Sequence, residues 1–207
     1  MKYQGKKAAV LGAGLSGAAA ALLLRSEGAE VTVLDSAEEN TLLKSTLDNL
    51  RAEGVSVRCG GAAEDDSSPY DFVVLSPGID PRSSLAKNFS ARKIEMMGEL
   101  ELGWRSIDIP VIAITGTNGK TTTTELLAQM LNGCGRRTIS CGNIGKPLSE
   151  VAREKRDLDL LTVEVSSFQL ETIRTFRPSV SVWLNFAPDH LDRYRSVADY
   201  RAAKLRI

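Results

Sequence analysis

The sequence predicts an α/β protein built on parallel sheets. Three observations carry that expectation. Short β-branched and apolar runs alternate with helix-length stretches along all 207 residues, which is the pattern of consecutive βα units. An early run leads into Gly12-Ala13-Gly14-Leu15-Ser16-Gly17. A later run leads into Thr115-Gly116-Thr117-Asn118-Gly119-Lys120-Thr121-Thr122. Each glycine loop lies between a strand and a helix.

In chain order, residues 7–11 read as the first strand, and 15–27, rich in Ala and Leu, as the helix after it. Residues 30–34 (EVTVL) form a second strand that ends at Asp35. Residues 40–53 read as a helix stopped by Gly54, since glycine past a periodic stretch ends helices. Strands follow at 55–59 and 72–75, with the small, acidic segment 60–69 as the loop between them. Ser76-Pro77-Gly78-Ile79-Asp80-Pro81 is a loop at the C-terminal end of a strand, where open α/β sheets bind ligands. Residues 93–97 read as a fifth strand and 98–104 as a short helix.

In the second half, 110–115 (PVIAIT) is a buried strand and 119–131 the helix after the glycine turn. Strands at 137–141, 158–165 and 179–185 alternate with helices at 148–153, 168–175 and 197–207. With the boundary placed near 106–108, a Rossmann-like domain over 1–107 precedes a P-loop-type α/β unit over 108–207.

Composition narrows the function classes. Lys and Arg number 26 against 26 Asp and Glu, and a zero net charge argues against a generic nucleic-acid binder. No apolar run approaches the ~20 residues that span a bilayer, and the first residues do not read as a secretory signal. The single histidine, His190, excludes a multi-histidine zinc site. Cys59, Cys134 and Cys141 form no C-x-x-C pair. They read as reduced packing residues, and the chain as cytoplasmic.

The first loop fits G-x-G-x-x-G. Its first glycine permits the tight turn, the second the approach of a pyrophosphate, and the third close packing of helix on strand. Asp35 stands 18 residues after Gly17, where an acidic group would meet a ribose hydroxyl or a base; a plain strand-end cap is its bland alternative. The fingerprint alone allows NAD, FAD or a uridine diphosphate. The second loop carries the Gly-Lys-Thr end of a P-loop. Lys120 would reach the β/γ-phosphates and the Thr121 hydroxyl would bind Mg²⁺. It is shorter than the common form, because Gly116 stands three residues before Gly119 and position 114 is Ile.

Gly116-Thr117-Asn118-Gly119-Lys120-Thr121-Thr122 resembles the ATP loop of the Mur ligases, which build the peptide stem of peptidoglycan. Further segments resemble the branch of that family that adds D-glutamate. They are Ser76-Pro77-Gly78-Ile79, Cys141-Gly142-Asn143-Ile144-Gly145, Glu164-Val165-Ser166-Ser167-Phe168-Gln169-Leu170-Glu171, Asp189-His190-Leu191-Asp192-Arg193-Tyr194 and Ala203-Lys204-Leu205-Arg206-Ile207.

The resemblance implies an ATP-dependent amide-bond ligase that joins D-glutamate to UDP-N-acetylmuramoyl-L-alanine through an acyl phosphate. It implies substrate contacts by Gly14, Leu15, Ser16, Asp35, Ser36, Ser76, Gly78 and Asn143, with Ser36 standing where the family often has Thr. It places ATP on Gly116, Thr117, Asn118, Gly119, Lys120, Thr121 and Thr122. Mg²⁺ would be held by Thr121, Glu164, His190 and a carbamylated Lys204, with Lys120, His190 and Lys204 as catalytic residues. Asp192, Arg193 and Tyr194 read as local scaffolding.

The resemblance also implies three domains, of which this chain carries the first and part of the second. It is therefore expected to be inactive alone; a monomer is expected as well. The alternatives are an NAD(P)-dependent oxidoreductase, on the first loop alone, a folylpolyglutamate synthase-like ligase, which shares the ATP loop, and a non-catalytic nucleotide-binding regulator.

Overall fold

The computed structural model describes residues 1–207. Strands β1 (Lys7–Leu11), β2 (Glu30–Asp35), β3 (Ser56–Cys59), β4 (Phe72–Leu75) and β5 (Glu95–Gly98) form one sheet in the order β3-β2-β1-β4-β5. Every pairing in it is parallel. Strands β6 (Val111–Thr115), β7 (Thr138–Gly142), β8 (Leu160–Glu164) and β9 (Val180–Trp183) form a second, also parallel, in the order β7-β8-β6-β9. The expected fold class therefore holds. No helix is long and apolar enough to cross a membrane.

The strands read as continuous apolar runs because both sheet faces are covered. On β1, Ala8 and Val10 face a core of 20 buried residues, while Ala9 and Leu11 face another of nine. This is the two-residue alternation of a strand. Helix α1 (Leu15–Ser26) places Ala20, Ala21, Leu23 and Leu24 in the first core. A third core of 12 residues lies under the second sheet and includes Val111, Ala113, Leu161 and Val163. Each fully buried Leu or Val contributes about 1.5–3 kcal/mol.

Several elements differ from expectation. Residues 40–53 are not one helix: a 3-10 turn (Glu39–Thr41) precedes α2 (Lys44–Ala52). Leu42 and Leu43 are extended between them, and Leu42 packs against the first core. The acidic segment after β3 contains a short helix, α3 (Gly61–Glu64), with Ala63 fully buried. Helix α4 (Ser84–Ala91) was not expected at all, although the Ser83 hydroxyl caps it by accepting from Ala86 N, and Leu85 and Phe89 supply its buried face.

Helix α5 (Glu99–Arg105) follows β5, and α6 (Lys120–Gly133) follows the second glycine loop. Helix α7 (Leu148–Glu154) packs on α1 and α5 and so bridges the two sheets. The helix expected over 168–175 stops as α8 (Ser167–Glu171). The reason lies on α5: the Glu101 carboxylate accepts from the backbone N–H groups of Arg174, Thr175 and Phe176 at 2.8–3.0 Å, which turns that backbone away from a helix. Burial alone would raise the Glu101 carboxyl, but these donors, with Thr175 and Arg105, hold it down at about 2. Its neighbour Glu99 has one partner, Ser149 N at 2.7 Å, and its Oε2 has none. Burial pushes Glu99 up to about 7. The last helix, α9, covers Val197–Lys204 rather than reaching residue 207.

Candidate functional site

The two glycine loops open at the C-terminal edges of their sheets. In the first, Gly12 adopts φ +96°, and a Cβ on Gly17 would lie 1.9 Å from the Gly12 carbonyl oxygen. Neither position accepts a side chain. Gly14 caps α1, and a Cβ there would meet nothing within 4 Å, so this helix start is open to an incoming anion. Gly14, Leu15, Ser36 and Gly78 are exposed and Ser16 is half-buried, while Ser76 is buried with its N–H on the Leu11 carbonyl. Asp35 engages both carboxylate oxygens, Oδ2 with Ala13 N at 2.8 Å and Oδ1 with Ala37 N at 2.9 Å. It thus ties the end of β2 to the glycine loop. The pairing of β1 with β2 and β4 brings all these residues to one sheet edge. Asn143, which the resemblance puts near the muramoyl substrate, lines the cavity of the second loop, where its Nδ2 donates to Glu164.

The second loop joins β6 to α6, with Gly119 at φ +79° as the left-handed turn into the helix. The Lys120 ammonium folds back onto the Thr117 carbonyl at 2.9 Å. Around the loop lies a cavity of about 530 Å³, lined by Thr117 to Thr122, Asn143, Glu164, Ser166 to Phe168, Asp189, His190 and Lys204. The lining is almost wholly polar, as a phosphate site requires.

Glu164 ends β8 and is 2% exposed. Burying a carboxylate is costly unless it is hydrogen-bonded. Its two oxygens accept from the Thr121 hydroxyl at 2.7 Å and from Asn143 Nδ2 at 2.8 Å. Lys204 is 1% exposed and donates to the Gly116 carbonyl at 2.8 Å. Its ammonium lies 4.9 Å from the centre of the Tyr200 ring. Burial, and after it the charge of Lys120, lower the Lys204 amine to about 8. His190 adopts φ +54° on the cavity wall, its ring centroid 4.9 Å from that of Phe168. Glu164 and Thr121 are therefore in contact, with His190 and Lys204 on the walls around them. No three His, Cys, Asp or Glu side chains converge in an arrangement that could hold a metal ion.

Sequence reading missed three contributors. Asn185 Oδ1 accepts from the N–H groups of Thr117 and Asn118 at 3.2 and 3.0 Å, while its Nδ2 donates to the Asn118 carbonyl at 3.0 Å. One side chain thus fixes the first half of the second glycine loop. Tyr200 is buried, and its hydroxyl lies 3.2 Å from the Thr117 hydroxyl. Arg193, read as local scaffolding, reaches across to the first sheet: Nη1 donates to the Pro77 carbonyl at 3.3 Å and Nη2 to Glu171 at 3.1 Å. An asparagine just past a strand that runs beside the loop was the available signal for the first. Of the cysteines, Cys141 is buried, but Cys134 is exposed rather than packed.

Comparison with known proteins agrees with this geometry. Residues 6–98 match the Mur ligase MurD-like N-terminal domain, and residues 114–207 the Mur ligase middle domain. The UDP-N-acetylmuramoylalanine--D-glutamate ligase of Thermoanaerobacter pseudethanolicus is 42% identical over all 207 residues, which cover 45% of that protein. The Desulfovibrio desulfuricans ligase of the same name is 43% identical over 98% of this chain and 47% of its own. The chain thus spans about half the length of the curated relatives it matches.

Among solved structures, the UDP-N-acetylmuramate:L-alanyl-gamma-D-glutamyl-meso-diaminopimelate ligase of Neisseria meningitides aligns over 98% of this chain and 67% of its own, with TM-score 0.61 and 20% identity. The UDP-N-acetylmuramate-alanine ligase MurC of Thermotoga maritima aligns over 96% of this chain and 46% of its own, with TM-score 0.58 and 22% identity. These two likenesses concern the fold. With both domain matches and relatives above 40% identity along its whole length, the chain belongs to the Mur ligase family.

Proposed function

We propose that this chain supplies the uridine-nucleotide and phosphate-binding parts of an ATP-dependent ligase that joins D-glutamate to UDP-N-acetylmuramoyl-L-alanine in peptidoglycan precursor synthesis. Residues 1–107 hold the uridine diphosphate substrate and residues 108–207 the triphosphate. The observation that carries the reading is the cavity in which Lys120 and Thr121 of the phosphate loop meet buried Glu164 and buried Lys204. The identity to D-glutamate ligases along the whole chain supports the choice of substrate.

The chemistry asks for this donor set. A substrate carboxylate oxygen attacks the γ-phosphorus, ADP leaves, and an acyl phosphate forms. The D-glutamate amine then attacks the acyl carbon, phosphate departs, and the amine loses a proton. Both steps crowd negative charge onto neighbouring oxygens, and fixed cations aimed at them lower the barrier. Lys120 serves this role at the phosphates. The backbone N–H groups of Gly119 to Thr122 and the positive end of α6 bind the same oxygens.

Mg²⁺ suits the site, because the Thr121 hydroxyl and the Glu164 carboxylate are two hard oxygen donors already side by side, and this ion takes one or two protein oxygens beside phosphates and water. Bound there, it would offset phosphate charge. His190 and Lys204 stand on the cavity wall as further ligands, Lys204 after carbamylation of its amine by CO₂. Burial beside Lys120 favours the neutral amine that this addition needs. At the first loop, Gly14 to Ser16 hold the pyrophosphate, Asp35 and Ser36 lie towards the uracil, and Ser76 and Gly78 lie towards the sugar. The ligase acts in the cytoplasm as a monomer, without nucleic acid or membrane.

A thermal-shift comparison tests the first-loop reading against a dehydrogenase. UDP-N-acetylmuramoyl-L-alanine is expected to raise the melting temperature and NADH to leave it unchanged. Stabilisation by NADH and not by the uridine nucleotide would overturn the assignment.

A further inference from the structure

The geometry points to Arg193 as a positioning residue that couples the substrate loop of the first sheet to the nucleotide cavity of the second. This inference rests on the reading of those two loops given above.

Arg193 lies on the turn that begins at His190, whose carbonyl accepts from the N–H groups of both Arg193 and Tyr194 at 3.0 and 2.9 Å. Its guanidinium is largely buried, with 13% of the side chain exposed, and it touches three segments. Nη1 donates to the carbonyl of Pro77, between Ser76 and Gly78 of the substrate loop. Nη2 pairs with Glu171 at the end of α8. Its face lies 4.0 Å from the centre of the Phe168 ring, and Phe168 in turn lines the cavity and packs on His190. A second link runs the other way: Arg82 Nη2 donates to the Arg193 carbonyl at 2.6 Å while the same guanidinium grips Asp80. Both ends of the substrate loop, at Pro77 and Arg82, are therefore fastened to one residue of the His190 turn.

A purely local scaffold would bond within its own turn. Arg193 instead spends its fork on segments 22 and 116 residues away in sequence. The planar fork does what an ammonium cannot, since it bridges two acceptors and stacks on an aromatic face at once. A ligand that moves the loop carrying Pro77 shifts the guanidinium, and with it Phe168 and the wall of the phosphate cavity. The effect is reciprocal, because any change one ligand makes in the other's affinity is returned by the same factor.

The test is calorimetry on the 207-residue chain with UDP-N-acetylmuramoyl-L-alanine and a non-hydrolysable ATP analogue with Mg²⁺, each alone and each in the presence of the other. In the wild-type chain, one ligand is expected to change the dissociation constant of the other by about fivefold or more. In Arg193→Lys that factor falls to within about twofold of unity, and this loss of coupling is read separately from any change in the affinity of each ligand alone. Glu171→Gln, which leaves Arg193 in place but removes its charged anchor, is expected to give an intermediate factor.

Hydrogen exchange without ligand gives a second readout: Arg193→Lys should speed exchange of residues 76–82 and spare β1. An uncoupled wild-type chain would overturn the inference, as would undiminished coupling in Arg193→Lys or unchanged exchange at 76–82. If neither ligand binds the wild-type chain by itself, the functional reading fails, and this inference falls with it.

Discussion

The Lys204 ammonium donates to the carbonyl of Gly116 at 2.8 Å, so the last helix is fastened to the first glycine of the phosphate loop. The contact spans 88 residues and is closed to solvent. It sets a lysine of lowered basicity beside the polar cavity that a second lysine, Lys120, also lines.

That environment predicts carbamylation. With its amine near 8, Lys204 is substantially neutral at pH 8, the form that adds to CO₂. Incubation of the chain with ¹³C-bicarbonate should give one carbamate carbonyl resonance by NMR, absent from Lys204→Met. A wild-type spectrum identical to that of Lys204→Met would contradict the assignment.

Asn185 predicts a separation of stability from binding. Asn185→Ala removes three hydrogen bonds from Thr117 and Asn118. These groups are solvent-exposed, so water recovers part of the loss, and the chain should lose only about 1 kcal/mol by thermal denaturation. Nucleotide affinity should fall further, by about tenfold, because the loop no longer holds its bound shape. Asn185→Asp keeps the acceptor but sets a negative charge against the Asn118 carbonyl and the phosphate. It should weaken ATP binding more than Asn185→Ala does, at comparable stability.

The glycine loops and Glu164 are legible in the sequence because their signals are local: a strand, a turn and a helix in a row, or a carboxylate in an apolar run. Lys204 is singled out only by the family resemblance, since by itself it reads as an ordinary helix-surface lysine. Asn185 was not, since its partners lie 67 and 68 residues away and are backbone groups that leave no mark in sequence. The same reason hid Glu101, whose acceptance of three consecutive N–H groups cut short the helix expected over 168–175. Helix α4 was a different failure. Ser83, Leu85 and Phe89 display a cap and an apolar face, but the preceding Asp80-Pro81 drew the segment into a loop. The contact of Asn143 with Glu164 depends on the crossover that sets β7 beside β8, which residue spacing does not reveal.

Glu99 predicts how stability depends on pH. Its carboxyl is raised by burial from 4.5 to about 7, so between those values the folded chain holds a proton that the unfolded chain has released. Stability from this group is fully present below about 4.5 and is lost as pH rises through 7, a fall on the order of 3 kcal/mol. Glu99→Gln is neutral throughout and should remove the fall. Melting temperatures of the two chains should therefore diverge in favour of Glu99→Gln between pH 5 and pH 8. Parallel pH profiles would show that Glu99 does not titrate in this window.

The central claim is that the polar cavity around Lys120 is a triphosphate site. Calorimetric titration of the 207-residue chain with ATP and Mg²⁺, beside Lys120→Ala, tests it most directly. One ATP is expected to bind per chain, with an affinity at least about tenfold weaker in the variant, the loss expected for a charge-assisted contact to phosphate. Absence of ATP binding, or equal affinity in Lys120→Ala, would contradict it.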